Sequence, residues 1–275
     1  MLYYQDENFY YFRKPAGIPS TFWKEYSFLD MMLAPLQKGD QGGSKIPLNV
    51  ILSLHAFFWT EKEFWLLNRL DNETSGLLYF AKTPRIYKQF KEMQSALLLS
   101  KYYIAEVYGD ITPLMKGGQG GSSSKHYIDY EPTLKELAKD LRNNMTQAEY
   151  RTSPTSTRNI CRKGSSEGGR YQILLPLAHH RYNPDRMVAI KHPNDIKKTK
   201  WTLHHLTTEI VEFQFLPTSN TSILLLCIQK WIRHQIRAHL AAIGHPICWD
   251  QLYSKSDHKN YDKLQLFSVG LETTN

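Results

Sequence analysis

The chain predicts an α+β fold, in which strands and helices follow one another without the regular alternation of a parallel α/β sheet. Three observations carry this. Stretches such as "KYYIAEVYG" (101–109) alternate side chains with the period of two of a strand. "PRIYKQFKEM" (84–93) and "WIRHQIRAHLAAIGHP" (231–246) place apolar residues at helical spacing. "TTEIVEFQF" (207–215) and "SILLLCIQK" (222–230) follow one another as strands with no helix read between them.

In chain order, "FYYFRKPAGIPS" (9–20) is a strand running into a turn, because Pro15 and Gly17 interrupt regular pairing. "LLYFAK" (77–82) is a second strand. Thr83 then caps a helix with Pro84 at its first position and Ile86, Phe90, Met93 and Leu97 along one face. "KYYIAEVYG" follows as a strand with Tyr103, Ala105 and Val107 on one side. "TTEIVEFQF" (207–215) and "SILLLCIQK" (222–230) read as two more. In the last helix Ile232, Ile236, Leu240 and Ile243 form the apolar face, Gly244 and Pro246 stop it, and Arg233 and Arg237 lie one turn apart on a neighbouring face. Glycine and serine patches at 38–45, 116–125 and 162–170 read as loops or linkers. Residues 116–170, with a short amphipathic helix carrying Leu134, Leu137 and Leu141, are expected to form an insertion on the main domain.

With 275 residues and 41% hydrophobic composition the chain can build a substantial core. No apolar run reaches the roughly 18 residues of a membrane span, and "MLYYQDENFYYF" lacks the pattern of a signal peptide. A cytoplasmic protein without membrane association is expected. Cys161, Cys227 and Cys248 are too few and too scattered for a disulfide framework or a zinc site, and are read as reduced, buried thiols. His204 and His205 are adjacent, and His234 and His239 are five apart on a helix, so no metal is expected. The net charge of +8 is concentrated: residues 151–200 hold eleven Lys or Arg against three acids, and the rest of the chain is balanced. Such a patch is the footprint of a polyanion partner.

Four stretches carry a resemblance. "RLDNETSGLLYFAKT" (69–83) resembles, over fifteen consecutive positions, the Arg-Leu-Asp-x-x-Thr-Ser-Gly-Leu-Leu-x-x-Ala-Lys-Thr signature of the pseudouridine synthases of the RluA type. "RKPAGIPS" (13–20) is similar to the family's Asn-Lys-Pro-Ala-Gly-Leu-Pro strand, and "KYYIAEVYG" to its Lys-x-Tyr-x-Ala-x-Val-x-Gly strand. "HQIRAHLAAIGHPICWDQLY" (234–253) is similar to its His-Gln-Ile-Arg-x-His-Leu…Gly-His-Pro-Ile-x-x-Asp-x-Leu-Tyr block, and all four stand in the family's order. The resemblance implies one catalytic domain over residues 1–275, built on a long, bent, mixed but mainly antiparallel sheet flanked by helices, with a central RNA-binding cleft and no separate N-terminal RNA-binding domain. Two departures stand out. Asn68 occupies a position where the family usually has His, and Trp231-Ile232-Arg233 replace its usual Gly-Arg-Thr.

What the resemblance implies is an RNA pseudouridine synthase, an isomerase needing no cofactor, acting on uridines of rRNA or tRNA and working as a monomer. Asp71 is the implied catalytic carboxylate, as nucleophile or as base. A guanidinium is implied to keep it ionised, Arg237 at the position that aligns or Arg233 beside the Trp231 departure; Tyr103 is the ring implied to stack on uracil, and Arg69 the side chain that fills the space left by a flipped-out uridine. Arg233, His234 and Gln235 are expected beside the RNA, and Arg158, Arg162 and Lys163 are expected to follow its backbone. Read without the family, Asp71 would be the cap of a short turn with Asn72 and Thr74, Tyr103 a core residue and Arg237 a solvated helix residue. Two rival functions are an RNA-binding or ribosome-assembly factor that has lost turnover and, more remotely, a protein-binding adaptor.

Overall fold

The computed structural model describes residues 2–21, 27–29, 65–116, 171–254 and 263–273. The helix expected at 132–145, Cys161, Arg158, Arg162, Lys163 and the three glycine-rich patches apart from Lys116 lie outside them. The chain gathers into two compact units, residues 1–99 with 273–275, and residues 100–272.

The first unit is built on β1 (Leu2–Gln5), β2 (Phe9–Lys14) and β3 (Ser75–Ala81), paired antiparallel in that order. The β2–β3 register sets Phe12 against Leu78 and Lys14 against Gly76. Phe12 is fully buried and meets Phe80 edge to face at 5.3 Å and Phe28 at 6.3 Å, so aromatic packing fixes this face of the sheet. Helix α1 (Pro84–Ser95) starts as its sequence dictates, with the Thr83 hydroxyl accepting from Ile86 N at 3.3 Å, and it buries Phe90.

The end of α1 differs from the expectation. Leu97 lies beyond the helix, 41% exposed and with φ of 58°. Before β4 (Leu99–Tyr108) begins, the helix closes with Leu98 N donating to Met93 O and Leu97 N donating to Gln94 O. This is the arrangement that usually selects glycine at the left-handed position.

In the second unit the strands order as β11-β4-β10-β9-β5: β4 (Leu99–Tyr108), β5 (Tyr171–Ile173), β9 (Thr208–Leu216), β10 (Thr221–Ile228) and β11 (Leu266–Thr273). Every residue of β10 is buried, which explains why "ILLLCI" is apolar without alternation. β4 pairs antiparallel with β10, setting Tyr103 opposite Leu226. Short helix α2 (Thr112–Lys116) follows β4. A separate three-stranded sheet, β7-β6-β8, comprises β6 (Leu177–His180), β7 (Met187–Ala189) and β8 (Thr199–His204), with a 3₁₀ turn at Pro193–Lys198. Its Leu177 and Met187 join Leu206, Tyr253 and Ala238 in one core cluster. Ala238 belongs to α3 (Gln235–Ala242).

Helix α3 is shorter at its start than the apolar spacing predicts. His234 adopts a left-handed conformation with φ of 54° immediately before Gln235, so Ile232 and Arg233 precede the helix instead of lying in it. Its end is as expected: Gly244, with φ of 92°, donates to Ala241 O, and His245 N donates to Leu240 O. The fold class is the α+β architecture that the sequence predicts. The strand pairings described within the two units are antiparallel.

Candidate active site

Asp71 sits in the first unit at the head of a turn, half-buried, with Thr74 N donating to its carbonyl at 3.0 Å. The turn reading and the catalytic reading of Asp71 are thus compatible. The segment leading to it is held from both sides. Asn68, 3% exposed, donates from Nδ2 to Leu77 O at 3.1 Å and accepts at Oδ1 from Tyr79 N at 2.8 Å, so its amide brackets β3 as a peptide would. Ser20 Oγ donates to Leu70 O at 2.9 Å and accepts from Leu70 N at 3.1 Å. Between these anchors Arg69 is exposed. On the far side of the turn, Gly76 has φ of 116°, a conformation that accounts for glycine after Thr74-Ser75.

Beneath the turn lies Lys14, a residue that the sequence reading left without a role. Its side chain is fully buried and Nζ donates to three backbone carbonyls, Ile18 O at 2.7 Å, Pro15 O at 2.9 Å and Asn72 O at 3.0 Å. Asn72 O also accepts from Gly17 N at 2.8 Å. The Lys-Pro-Ala-Gly turn and the Asp71 turn are therefore stitched together by an ammonium and a peptide N–H. Burial brings the Lys14 pKa down to about 8, opposed by the nearby carboxylates of Glu73 and Asp71. Its presence in "RKPAGIPS" was the available signal. Thr74 is 2% exposed, and its hydroxyl is buried without a hydrogen-bond partner.

The second unit holds Tyr103 and Arg237. Tyr103 lies on β4 and is 6% exposed. Arg237 is buried on α3, and its Nε and Nη2 grip Asp250 Oδ2 and Oδ1, each at 2.8 Å. Asp250 Oδ1 accepts further from Leu252 N at 2.9 Å and Tyr253 N at 3.0 Å. Asp250 was legible only as a letter in the "GHPICWDQLY" block, since nothing local names its partner. The Tyr253 ring has the guanidinium of Arg237 5.3 Å and that of Arg186 5.2 Å from its centre. Its hydroxyl accepts from Met187 N at 2.8 Å, and burial pushes its pKa up to about 12, so it stays protonated.

Of the remaining expected RNA contacts, Arg233 points to the β6–β7 hairpin, donating to Pro184 O at 3.2 Å and Asp185 Oδ1 at 3.1 Å. His234 is buried, 3.2 Å from the Tyr253 hydroxyl through Nδ1. Gln235 is buried and donates to Thr207 O at 2.9 Å. These two side chains dock the start of α3 internally. Trp231, in the segment that departs from the family, lies under Lys101, whose Nζ is 3.8 Å from the ring centre. His239, Nδ1 to Thr208 Oγ1 at 2.8 Å and Nε2 to Leu175 O at 2.9 Å, is a core histidine whose pKa burial lowers. Cys227 and Cys248 are buried thiols. Among the described residues no three His, Cys, Asp or Glu gather as metal ligands, and no helix is long and apolar enough to cross a membrane.

The family model described as "RNA pseudouridylate synthase" matches residues 8–242. Ribosomal large subunit pseudouridine synthase C of Rickettsia bellii is 35% identical over 112 residues, 39% of this chain and 29% of that protein. The dual-specificity RNA pseudouridine synthase RluA of Vibrio vulnificus is 23% identical over 259 residues, covering 92% of this chain and 78% of the relative. The chain thus spans less than a third of the length of the Rickettsia bellii relative. Human RNA Pseudouridylate Synthase Domain Containing 1 shares the fold, with a TM-score of 0.54, 14% identity, and coverage of 98% of this chain and 76% of that one.

Proposed function

The chain belongs to the RNA pseudouridylate synthase family, and on that premise we propose that it isomerises uridines of ribosomal or transfer RNA with Asp71 as the catalytic carboxylate. The reaction breaks the bond between C1′ and N1 of uracil, joins C1′ to C5, releases the C5 proton to solvent and leaves N1 protonated in its place. The carboxylate of Asp71 serves as nucleophile toward the sugar or as base toward it. The observation that carries the reading is the way the fold spends buried polar groups on this one turn. Lys14, Ser20 and Asn68, all buried, each hydrogen-bond the backbone around Asp71.

In the same reading Arg237 supplies the positive charge that keeps Asp71 ionised in an RNA-filled pocket. Asp250 fixes the plane of that guanidinium from its Nε edge. Tyr103 stacks on the uracil, and Arg69, exposed beside Asp71, fills the gap left by the flipped nucleotide. Arg158, Arg162 and Lys163 follow the RNA backbone. The buried contacts of His234 and Gln235 support their assignment to the scaffold of α3 instead of the RNA. A cytoplasmic, monomeric enzyme requiring neither metal nor cofactor completes the reading.

The test is tritium release from RNA carrying 5-tritiated uridine. Asp71→Asn removes one charge and keeps the shape, so it should abolish release while leaving folding and RNA affinity near wild type. Turnover within about tenfold of wild type, a barrier change of roughly 1.4 kcal/mol, would remove Asp71 from the mechanism. Wild-type protein that binds RNA without releasing tritium would support the RNA-binding factor instead.

A further inference from the structure

The β6–β7 hairpin presents a tyrosine to solvent on an unusually well-fixed loop. Tyr182 is 80% exposed at the tip of the connection from His180 to Arg186. A lone surface aromatic is ordinary. Here, however, the backbone around it is tied down at almost every residue. His180 Nδ1 accepts from both Tyr182 N at 3.1 Å and Asn183 N at 3.0 Å. His180 N donates to Arg186 O at 2.9 Å, Arg186 N to Asn183 O at 3.1 Å, and Asp185 N to Asn183 Oδ1 at 3.0 Å. Arg181 N donates to Lys198 O at 2.7 Å, and Arg233 clamps Pro184 and Asp185 from the α3 side. The ring itself meets His180 edge to face at 6.3 Å.

The surface around this ring is strongly cationic. Arg181 and Arg186 flank it in the hairpin and Lys200 pairs with His179 at the hairpin's base, all three exposed. The two acids in the same stretch are already engaged, Asp185 by Arg233 at 3.1 Å and Asp195 by Lys198 at 2.9 Å. An aromatic held rigid and open costs little ordering when a flat partner stacks on it, and surrounding cations with their acids neutralised suit a chain of phosphates.

We infer that the β6–β7 hairpin is a preformed stacking post for an unpaired base of RNA, with Tyr182 as the platform and the neighbouring Arg and Lys side chains holding the flanking phosphates. This rests on the reading of the chain as an RNA-acting protein and adds an element of RNA capture that the signature residues do not include. Tyr182 contributes binding, and no step of the isomerisation passes through it.

The experiment measures affinity of the full chain for a short single-stranded oligouridylate and for a short RNA duplex. Tyr182→Ala should weaken binding of the single strand about five- to a hundredfold, the loss of one stacked base, and Tyr182→Trp should retain it. The duplex should bind both variants as it binds wild type. Because Tyr182 is exposed and its loop hydrogen bonds are made by its backbone N–H, these substitutions leave the fold intact. Oligouridylate bearing 5-iodouracil should photo-crosslink to the tryptic peptide Tyr182–Arg186. Unchanged single-strand affinity of Tyr182→Ala, or an equal loss on duplex, would overturn the proposal, as would a crosslink confined to other peptides. Tritium release measured on the same preparations separates this proposal from the isomerase reading. Tyr182-dependent binding without wild-type turnover defeats only the isomerase, and full turnover with Tyr182-independent binding defeats only the stacking post.

Discussion

Arg237 and Asp250 meet side on, Nε to Oδ2 and Nη2 to Oδ1, each at 2.8 Å, with the two side chains 5% and 0% exposed. A guanidinium held along one edge can turn neither out of its plane nor toward water, and it presents its opposite edge in a fixed direction. Removing either partner strands a charge in the interior. Asp250→Ala should therefore destabilise the protein by about 3 to 5 kcal/mol, read as a lowered urea midpoint. The double variant Arg237→Met/Asp250→Leu should recover much of that loss while staying inactive. Recovery of turnover in the double variant would reduce the pair to a structural one.

Arg233 makes the instructive contrast. Its ion pair with Asp185 joins side chains that are 45% and 76% exposed, a setting in which such pairs contribute about 0 to 1 kcal/mol. Arg233→Met should leave the unfolding midpoint and kcat close to wild type, whereas Arg237→Met should cripple tritium release. Equal loss of kcat in both variants would show that the Trp231 segment has exchanged their roles.

The buried hydroxyl of Thr74 gives a prediction in which stability and activity move apart. Its Oγ1 lacks a hydrogen-bond partner, and leaving such a group buried costs about 1 to 3 kcal/mol. Thr74→Val keeps the shape and removes the orphan, so the urea midpoint should stay level or rise. If the hydroxyl is reserved for bound nucleotide, kcat/KM should fall in the same protein. A drop in stability instead would show that the group is satisfied in solution.

Lys14 predicts a pH dependence with a definite sign. Its pKa falls from 10.5 in the unfolded chain to about 8 in the fold, because burial outweighs the attraction of Glu73 and Asp71. Between those values the unfolded state holds a proton that the folded state has lost, so stability due to this group rises with pH from about 8 to 10.5 and is level below it. The span corresponds to roughly 3 kcal/mol. Wild type should therefore gain stability relative to Lys14→Met across that window, measured by urea unfolding at matched pH. A difference independent of pH would mean that Lys14 is solvated.

Much of this arrangement is legible in the sequence, and the limits have physical causes. Strands β2, β3, β4, β9 and β10 announce themselves by alternation or by unbroken apolar runs, and Thr83-Pro84 marks the start of α1 because capping is local. Asp71 was visible through its signature. Three things were not legible. The sheet β6–β8 is short, rich in His and Lys and irregular in register, so it shows little period. The start of α3 depends on His234 adopting a left-handed conformation, which packing against Tyr253 supports and which non-glycine residues adopt only uncommonly. Lys14 and Asp250 act through partners distant in the chain, and a sequence names such residues without pairing them.

The carbonyl cage around Lys14 has a consequence for how the molecule responds to its medium. The ammonium, ringed by three backbone oxygens, is bolted to the chain and cannot dissociate as a free cation would. Dissolved ions do not compete for it and screen it little, because it lies out of their reach. The exposed cations of the β6–β7–β8 surface have no such protection, and their hold on a polyanion weakens as salt rises. On the proposed function, raising the ionic strength should loosen a grip on RNA while the turn that carries Asp71 keeps its form, so that capture and chemistry would answer to different properties of the same solution.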